Sequence, residues 1–264
     1  MSTSESPELT SAPRVSPRGI TGRETPEQLL ETAFPAFVGR QLRTAWQLMR
    51  RCAEGEHTVF LTLSGAMTPA GLHRSCIVPM VQAGFVDVLT TTGANLYHDA
   101  HRVIGHAIRE INPDAGDRAL REARIIRIYD LGFDESVLLD TDRLFAKLLQ
   151  RPEFQRTMTT AEMHRELGRC MHELELEIGV DQPCLLSACY QAGVPIFVGA
   201  PQDGSIFLNV VKLRGPAWGH VQVPAGPLRR RPRDGGDPVG RPAKGPDRGV
   251  DPRWGRAQEL HAPG

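Results

Sequence analysis

Two short apolar segments that each end in a loop of small residues constrain the fold of this chain most strongly. The first, Thr58–Leu63, stops at Ser-Gly-Ala-Met-Thr-Pro over residues 64–69, and the second, Val86–Thr91, stops at Thr-Gly-Ala-Asn over residues 92–95. In parallel sheets, strand ends carry ligand-binding loops, and the helices that follow offer unpaired N–H groups to phosphate. We therefore predict a parallel sheet with a nucleotide pocket at these strand ends.

A third segment repeats the pattern later in the chain. Val194–Val198 is apolar and leads into residues 199–205, where glycine, proline and polar residues dominate. Short apolar runs without alternation, separated by amphipathic helices, are typical of a parallel sheet that is buried on both faces. The predicted fold class is α/β, with a doubly wound, mostly parallel, Rossmann-like sheet. The predicted helices cover residues 70–84, 96–111, 160–178 and 184–191, and a further strand is predicted within residues 123–132.

Composition divides the chain into three parts. Residues 1–25 are rich in Ser, Pro, Thr and Glu, so we predict a disordered arm. The folded part, residues 26–214, begins where Thr25 can cap a helix with Pro26 at its first position. Glycine, proline and arginine dominate residues 215–264, which we interpret as a low-complexity tail.

A second helix is predicted to place four apolar residues on one face: Leu42, Ala45, Trp46 and Met49.

Charge and cysteine content narrow the possible partners and the compartment. The 31 basic residues balance the 31 acidic residues, which argues against a nucleic-acid or membrane-surface partner. No apolar run is long enough to span a bilayer, and the first residues do not resemble a secretory signal, so we expect a cytoplasmic protein. The five cysteines are expected to be buried, reduced thiols: Cys52, Cys76, Cys170, Cys184 and Cys189.

Four short motifs carry a resemblance to a known family. They are FLTLSGAMTPAG at residues 60–71, TTGANLYHD at residues 91–99, VPIF at residues 194–197 and DGS at residues 203–205. In this order and spacing they resemble deoxyhypusine synthase, and the first two are similar to its bacterial deoxyhypusine synthase-like branch. The resemblance covers roughly residues 26–214.

The resemblance implies a doubly wound fold, a homotetramer and NAD as a bound redox cofactor. Enzymes of this family oxidise spermidine with NAD, pass its aminobutyl group to an active-site lysine as an imine, and deliver it to a protein lysine. That chemistry needs a dry nicotinamide slot, acidic groups for the ammonium ions of the polyamine, and a deprotonated lysine nucleophile.

The resemblance assigns cofactor contacts to the three strand-end loops. Small side chains there would let the backbone approach phosphate, and Asp203 could accept hydrogen bonds from ribose hydroxyls. Ordinary tight turns with a helix cap at Asp203 remain the structural alternative. The assigned cofactor-binding residues are Gly65, Ala66, Met67, Thr68, Pro69, Thr92, Gly93, Ala94 and Asp203.

The substrate side departs from the family pattern. The paired acidic residues of the family would fall on Tyr97 and His98, ahead of Asp99, and a further carboxylate would fall on Leu208. Loss of carboxylates removes charge-assisted partners for ammonium groups, so a related polyamine or another amine is an alternative to spermidine. His98 and Asp99 are assigned to the substrate, with His98 as a hydrogen-bonding or acid/base group.

Three histidines on the same predicted helix allow a metal alternative. His98, His101 and His106 include an H-x-x-H spacing, but histidines three residues apart often form only a polar helix face. We assign no metal site.

The catalytic lysine of the family lies in a W-G-K motif, and no lysine here fits it. Lys147 lies in an amphipathic helical segment, Lys212 follows the strand-like IFLNVV, and Lys244 lies in the tail. We assign no catalytic residue. With suitable synonymous codons, residues 247–264 read one nucleotide later spell IAVWILGGGVPKNYTLQG, which resembles the glycine-rich NAD segment of the family. We hypothesise that the chain leaves its frame near residues 214–215.

Three functional hypotheses follow. The first is a deoxyhypusine synthase-like transferase that is C-terminally incomplete and inactive as written. The second is a homospermidine-synthase-type enzyme with a small-amine acceptor. The third is a noncatalytic binding protein that keeps the fold without the lysine.

Overall fold

The computed structural model describes residues 11, 12, 14–55 and 57–213, which fall into one compact unit up to Thr58 and another from Val59. The first unit contains helix α1 (Pro26–Thr32) and helix α2 (Phe37–Glu54). Thr25 and Gln28 form a capping box at the start of α1, as the sequence predicts. The apolar face of α2 is confirmed as helical, although Leu42 and Met49 are both at least half exposed.

The second unit is built on a three-stranded parallel sheet. Its strands are β1 (Phe60–Thr62), β2 (Val88–Thr91) and β6 (Ile196–Val198), with β2 in the centre. Both neighbouring pairs are parallel. The predicted α/β class with a parallel sheet is therefore confirmed. All three predicted strands are present, although each is shorter than its apolar run.

Helices pack against this sheet around the core, but the edge strand β1 is not buried on both faces as predicted, since Phe60 is 67% exposed. Helix α4 (Gly93–Val103) follows β2, helices α7 (Thr160–Ile178) and α8 (Leu185–Ala192) precede β6, and helix α9 (Ser205–Leu213) follows it. Their inward faces supply nearly half of the buried apolar side chains. Among the described residues, no helix is long and apolar enough to cross a membrane. The largest fully buried apolar side chains include Phe145, Phe154, Leu89, Leu96, Leu149, Met163, Leu167, Met171, Leu185 and Leu186.

Two helices differ from their predicted ranges, and a glycine with positive φ accounts for each difference. The predicted helix over residues 70–84 is instead a π-helical turn (His73–Ile77) followed by the short helix α3 (Val78–Gln82), because Gly71 has a φ of +80°. Pro79 lacks the N–H that a regular helix would use, which favours the wider π turn before it. Helix α4 starts earlier than predicted and ends at Val103, before Gly105 adopts a φ of +82°.

A small antiparallel sheet replaces the remaining predicted strand. Its order is β3 (Arg109–Glu110), β5 (Leu131–Asp134) and β4 (Ile125–Ile128), so residues 123–132 contain a turn rather than one strand. Tyr129 occupies that turn with a φ of +56°. The associated helices are α5 (Asp117–Glu122) and α6 (Glu135–Leu149).

The remaining predictions have mixed outcomes. The segment before Lys212 is helix α9 and not a strand, because its buried residues recur with helical spacing. All five cysteines are free thiols, but Cys76 is exposed and Cys52 only half-buried, so the prediction of burial is wrong for these two. The predicted low-complexity tail, its frame hypothesis and the first ten residues of the predicted arm lie outside the described residues.

Candidate functional site

The first two strand-end loops are fastened to each other by buried hydrogen bonds. The Thr68 hydroxyl donates to the backbone oxygen of Asn95 at 2.8 Å, and the Thr68 N–H donates to Asn95 Oδ1 at 3.3 Å. Asn95 Nδ2 in turn donates to Thr91 Oγ1 at 3.2 Å. Thr68 and Asn95 are fully buried. The loop after β1 is therefore fixed against the first turn of α4.

The second and third loops meet through two glycines. A Cβ built on Gly93 would lie 3.0 Å from Gly204 Cα, and one built on Gly204 would lie 3.1 Å from Gly93 Cα. Neither position has room for a side chain. All three predicted loops thus converge at the carboxyl edge of the parallel sheet, as expected for a ligand site of this fold class. A small recess beside this contact is lined by Gly93, Met163, His164, Val198, Pro201, Gly204, Ile206 and Phe207.

Helix α4 presents free backbone donors at this edge. Thr92 caps the helix by accepting from the Asn95 N–H at 3.4 Å. Within the described part of the chain, the N–H groups of Gly93 and Ala94 have no hydrogen-bond partner. The first turn of an α-helix carries a partial positive charge, so these donors suit a phosphate group.

The nine predicted cofactor residues divide into two groups by burial. Thr68, Pro69 and Gly93 are buried, and Met67 is half-buried. The Pro69 carbonyl accepts from Arg102 Nη2 at 3.1 Å, so Pro69, like Thr68, holds the loop in place. The other five are exposed at the edge of the sheet: Gly65, Ala66, Thr92, Ala94 and Asp203.

Asp99 is buried, and its carboxylate faces groups of the protein itself. It is 2% exposed, and its Oδ1 lies 2.8 Å from His73 Nε2, although without the alignment of a hydrogen bond. Its Oδ2 accepts from the N–H of Leu185, the first residue of helix α8. Both carboxylate oxygens are therefore occupied, and the structure does not bring Asp99 together with His98.

His98 lies against Phe133 of β5 and joins a row of hydrogen bonds that His101 extends to helix α6. His98 Nδ1 lies 2.8 Å from His101 Nε2, and His101 Nδ1 lies 2.7 Å from Thr141 Oγ1. Burial, assisted by the charges of His98, His106 and Arg102, lowers the pKa of His101 to about 3. Burial also lowers the pKa of His98. Both imidazoles are neutral near pH 7.

Tyr97 takes part in a neighbouring network on the same side of α4. Its hydroxyl donates to the Leu138 carbonyl at 2.8 Å and lies 3.0 Å from Asp142 Oδ1. Asp142 also accepts from Asn209 Nδ2 and Lys212 Nζ. These contacts with Asn209 and Lys212 help to lower the pKa of the Asp142 carboxyl against the opposing effect of burial.

The three histidines do not converge on one point. His98 and His101 contact each other, whereas His106 Nε2 lies 3.1 Å from Asp140 Oδ2. No group of three or more potential ligands in the described ranges is arranged to hold a metal ion. The metal alternative therefore has no geometric support in that part of the chain.

Sequence reasoning missed the partners that fix these groups. Asn95 carried a detectable signal, since it follows a capping threonine at the third helical position. His73 and Thr141 carried none, because Thr141 lies 40 positions from His101 and only the fold brings them together. Leu208, at the position of a family carboxylate, lies half exposed on α9.

The parallel sheet and the convergent loops define an α/β protein with a candidate ligand site at the carboxyl edge of its sheet. A family model described as deoxyhypusine synthase matches residues 28–222. A deoxyhypusine synthase-like protein from Thermosynechococcus vestitus is 42% identical over 210 residues, which cover 79% of this chain and 52% of the relative. The chain therefore belongs to the deoxyhypusine synthase family.

Further relatives agree with this assignment. A protein from Methanosarcina acetivorans assigned as deoxyhypusine synthase 2 is 34% identical over 208 residues, covering 75% of this chain and 57% of the relative. A crystal structure from Entamoeba histolytica assigned as a deoxyhypusine synthase has the same fold, with a TM-score of 0.52 at 14% identity. That match covers 79% of this chain and 70% of the solved chain. The chain spans about half the length of the curated relatives it matches.

Proposed function

We propose that the intact form of this protein is an NAD-dependent transferase. It moves an aminobutyl group from spermidine or a related polyamine to a lysine or amine acceptor, as a cytoplasmic homotetramer. Family membership supports the reaction class, and the balanced charge of the chain supports the absence of nucleic-acid and membrane partners. The observation that carries the proposal is the Gly93–Gly204 contact, which joins the loops at one edge of the sheet.

The residues at this edge fit a dinucleotide. The free N–H groups of Gly93 and Ala94 suit phosphate, and the exposed Asp203 carboxylate suits ribose hydroxyls. Gly65, with a φ of +68°, lets the first loop turn without a side chain. When bound, NAD would supply hydride acceptance, and the chain's own groups would bind and orient it.

We further propose that the chain as written is inactive. Within the described residues, Lys147 is exposed on α6, and Lys212 pairs with Asp142 at 2.9 Å. Neither lysine lies in the W-G-K motif that the family resemblance requires of the nucleophile.

The experiment compares the 264-residue chain with a version whose reading frame is restored after codon 214. We expect the restored protein to form NADH with spermidine and to transfer the labelled aminobutyl group, and this chain to do neither. In the restored protein, Gly204→Ala should weaken NAD binding because its Cβ meets Gly93, whereas Gly199→Ala, which meets no neighbour, should not. NAD-dependent transfer by this chain would contradict the proposed inactivity.

The frame hypothesis has its own test at the nucleotide level. If the actual codons of residues 247–264, shifted by one, do not spell the glycine-rich motif, the hypothesis is wrong. The family match extends to residue 222, eight positions beyond the proposed change near residue 214.

Two alternatives rest on specific observations. Replacement of family carboxylates by His98 and Leu208 favours a homospermidine-synthase-type enzyme with a small-amine acceptor. Assays with putrescine against protein acceptors separate it from the first proposal. The absence of a fitting lysine favours a noncatalytic binding protein, for which a frame-verified protein would bind NAD without turnover.

A further inference from the structure

A row of hydrogen bonds connects the backbone of helix α6 to His98. The Thr141 hydroxyl lies 2.7 Å from the Val137 carbonyl oxygen, His101 Nδ1 lies 2.7 Å from Thr141 Oγ1, and His98 Nδ1 lies 2.8 Å from His101 Nε2. Thr141 and His101 are fully buried, so water does not compete for these contacts. Each member of the row therefore depends on the next for its hydrogen bond.

Chemistry fixes the direction of every bond in this row. A carbonyl oxygen only accepts, so the Thr141 hydroxyl donates to Val137, and Thr141 Oγ1 must accept from the Nδ1–H of His101. His101 is neutral, because burial lowers its pKa to about 3, so its Nε2 carries a lone pair. That lone pair accepts from His98, which must carry its hydrogen on Nδ1.

The Nε2 atom of His98 is consequently a free acceptor. Burial lowers the pKa of His98, which keeps the ring neutral. Within the described residues, Nε2 has no hydrogen-bond partner, and it is not among the fully enclosed side-chain atoms that lack one. The far end of the row is a backbone carbonyl, which does not pass on a proton, so the row orients His98 and does not conduct protons.

The carboxylates nearest to this stretch of α4 are already occupied. Asp99 faces His73 and the Leu185 N–H, and Asp142 holds Lys212. A ligand that reaches His98 therefore meets a neutral acceptor and no free negative charge from these two groups. An N–H group satisfies such an acceptor, whereas a quaternary ammonium ion, which has no N–H group, forms no hydrogen bond with it.

We propose that His101 and Thr141 are positioning residues that hold His98 in one tautomer, so that its Nε2 accepts a hydrogen bond from an N–H group of the amine substrate. The tautomer follows from the row of hydrogen bonds together with the neutral state of His101, and only the identity of the ligand rests on the proposed function. His98 would thus recognise the amine without neutralising its charge, in place of a family carboxylate.

The first experiment measures the tautomer by nitrogen NMR of the ¹⁵N-histidine-labelled chain. We expect His98 as a single neutral Nδ1–H form, a mixture of tautomers in Thr141→Val, and recovery of the single form in Thr141→Ser. Thr44→Val is the matched control, because Thr44 also donates to the carbonyl four residues earlier but contacts no histidine in the described structure. An Nε2–H form of His98 in the unmodified chain would overturn the proposal, whether or not the variants fold.

The second experiment measures the ligand contact in the same labelled chain. Putrescine, which has N–H groups, should move the His98 Nε2 resonance, and tetramethylammonium, which has none, should leave it in place. Movement with both probes or with neither would overturn the amine contact. The proposed function fails by a different result, namely absence of transfer by the frame-restored protein.

Discussion

The two sides of helix α4 carry polar clusters that are built in opposite ways. On one side, Asp99 is 2% exposed, with one oxygen facing His73 and the other bound to the Leu185 N–H. On the other side, His98 is half-buried, and its row of hydrogen bonds through His101 leaves Nε2 open. In the first cluster both oxygens of Asp99 face a protein group, whereas the second leaves His98 Nε2 as a free acceptor within the described residues. The difference indicates that Asp99 serves the fold, whereas His98 keeps an acceptor for a partner outside the row.

Helix geometry explains why adjacent residues have different tasks. Successive side chains on an α-helix point about 100° apart, since a turn contains about 3.6 residues. His98 and Asp99 therefore face different neighbours, His101 and Phe133 for the first and the start of α8 for the second. A shared role at one ligand, which the motif alone favours, is not what this geometry supports.

The largest expected effect comes from Asp99→Asn. The amide keeps an acceptor for the Leu185 N–H but puts an NH2 group in place of the oxygen that faces His73 Nε2, so we expect a loss of roughly 2 kcal/mol in the free energy of unfolding. Urea denaturation measures the change. The matched control is His98→Asn on the adjacent residue, which should cost about 1 kcal/mol or less because it breaks one half-buried hydrogen bond. Equal losses of stability in the two variants would contradict the contrast between Asp99 and His98.

The second effect, which is intermediate when expressed per pH unit, concerns the pH dependence of stability. The pKa of His101 is about 3 in the folded chain and about 6.5 when unfolded, so below pH 6.5 the unfolded state binds the proton first. Stability should therefore fall as the pH drops from about 6.5 toward 3, with His101 contributing at most about 1.4 kcal/mol per pH unit. Chemical denaturation across this window measures the slope.

A variant isolates the contribution of His101 to that slope. His101→Gln should flatten it, and His57→Gln, at an exposed histidine, should not. His164, whose pKa burial lowers to about 4, contributes to the same slope and stays in both variants. If the pH slope of stability is the same in His101→Gln, then His101 is not held neutral in the folded chain over this pH range.

The smallest expected effect comes from Leu208→Glu. Leu208 is 48% exposed on α9, so the change in the free energy of unfolding should stay within about 0.5 kcal/mol. The added carboxylate restores a family charge and should raise the affinity for spermidine over that for putrescine, measured by calorimetry on the frame-restored protein. If the preference for spermidine over putrescine does not change, Leu208 does not contact the amine. His98 would then be the remaining candidate for amine recognition.

Local sequence signals predicted the elements whose causes are local. Thr25 with Gln28 marked the start of α1, and the apolar periodicity of residues 160–178 gave both ends of α7. The strand runs before residues 64 and 92 gave the parallel sheet. Predictions were wrong where one residue changed the backbone, as at Gly71 and Gly105, since a pattern of apolar side chains does not report φ.

By itself, the sequence determined the α/β class, the three strand-end loops, the family and the absence of a fitting lysine. Only the tertiary structure decided that Thr68 binds Asn95, that Gly93 meets Gly204, and that His98 and Asp99 face apart. The physical reason is distance along the chain. Hydrogen-bond and steric partners such as Thr141 and His101, 40 positions apart, are selected by packing and leave no local trace.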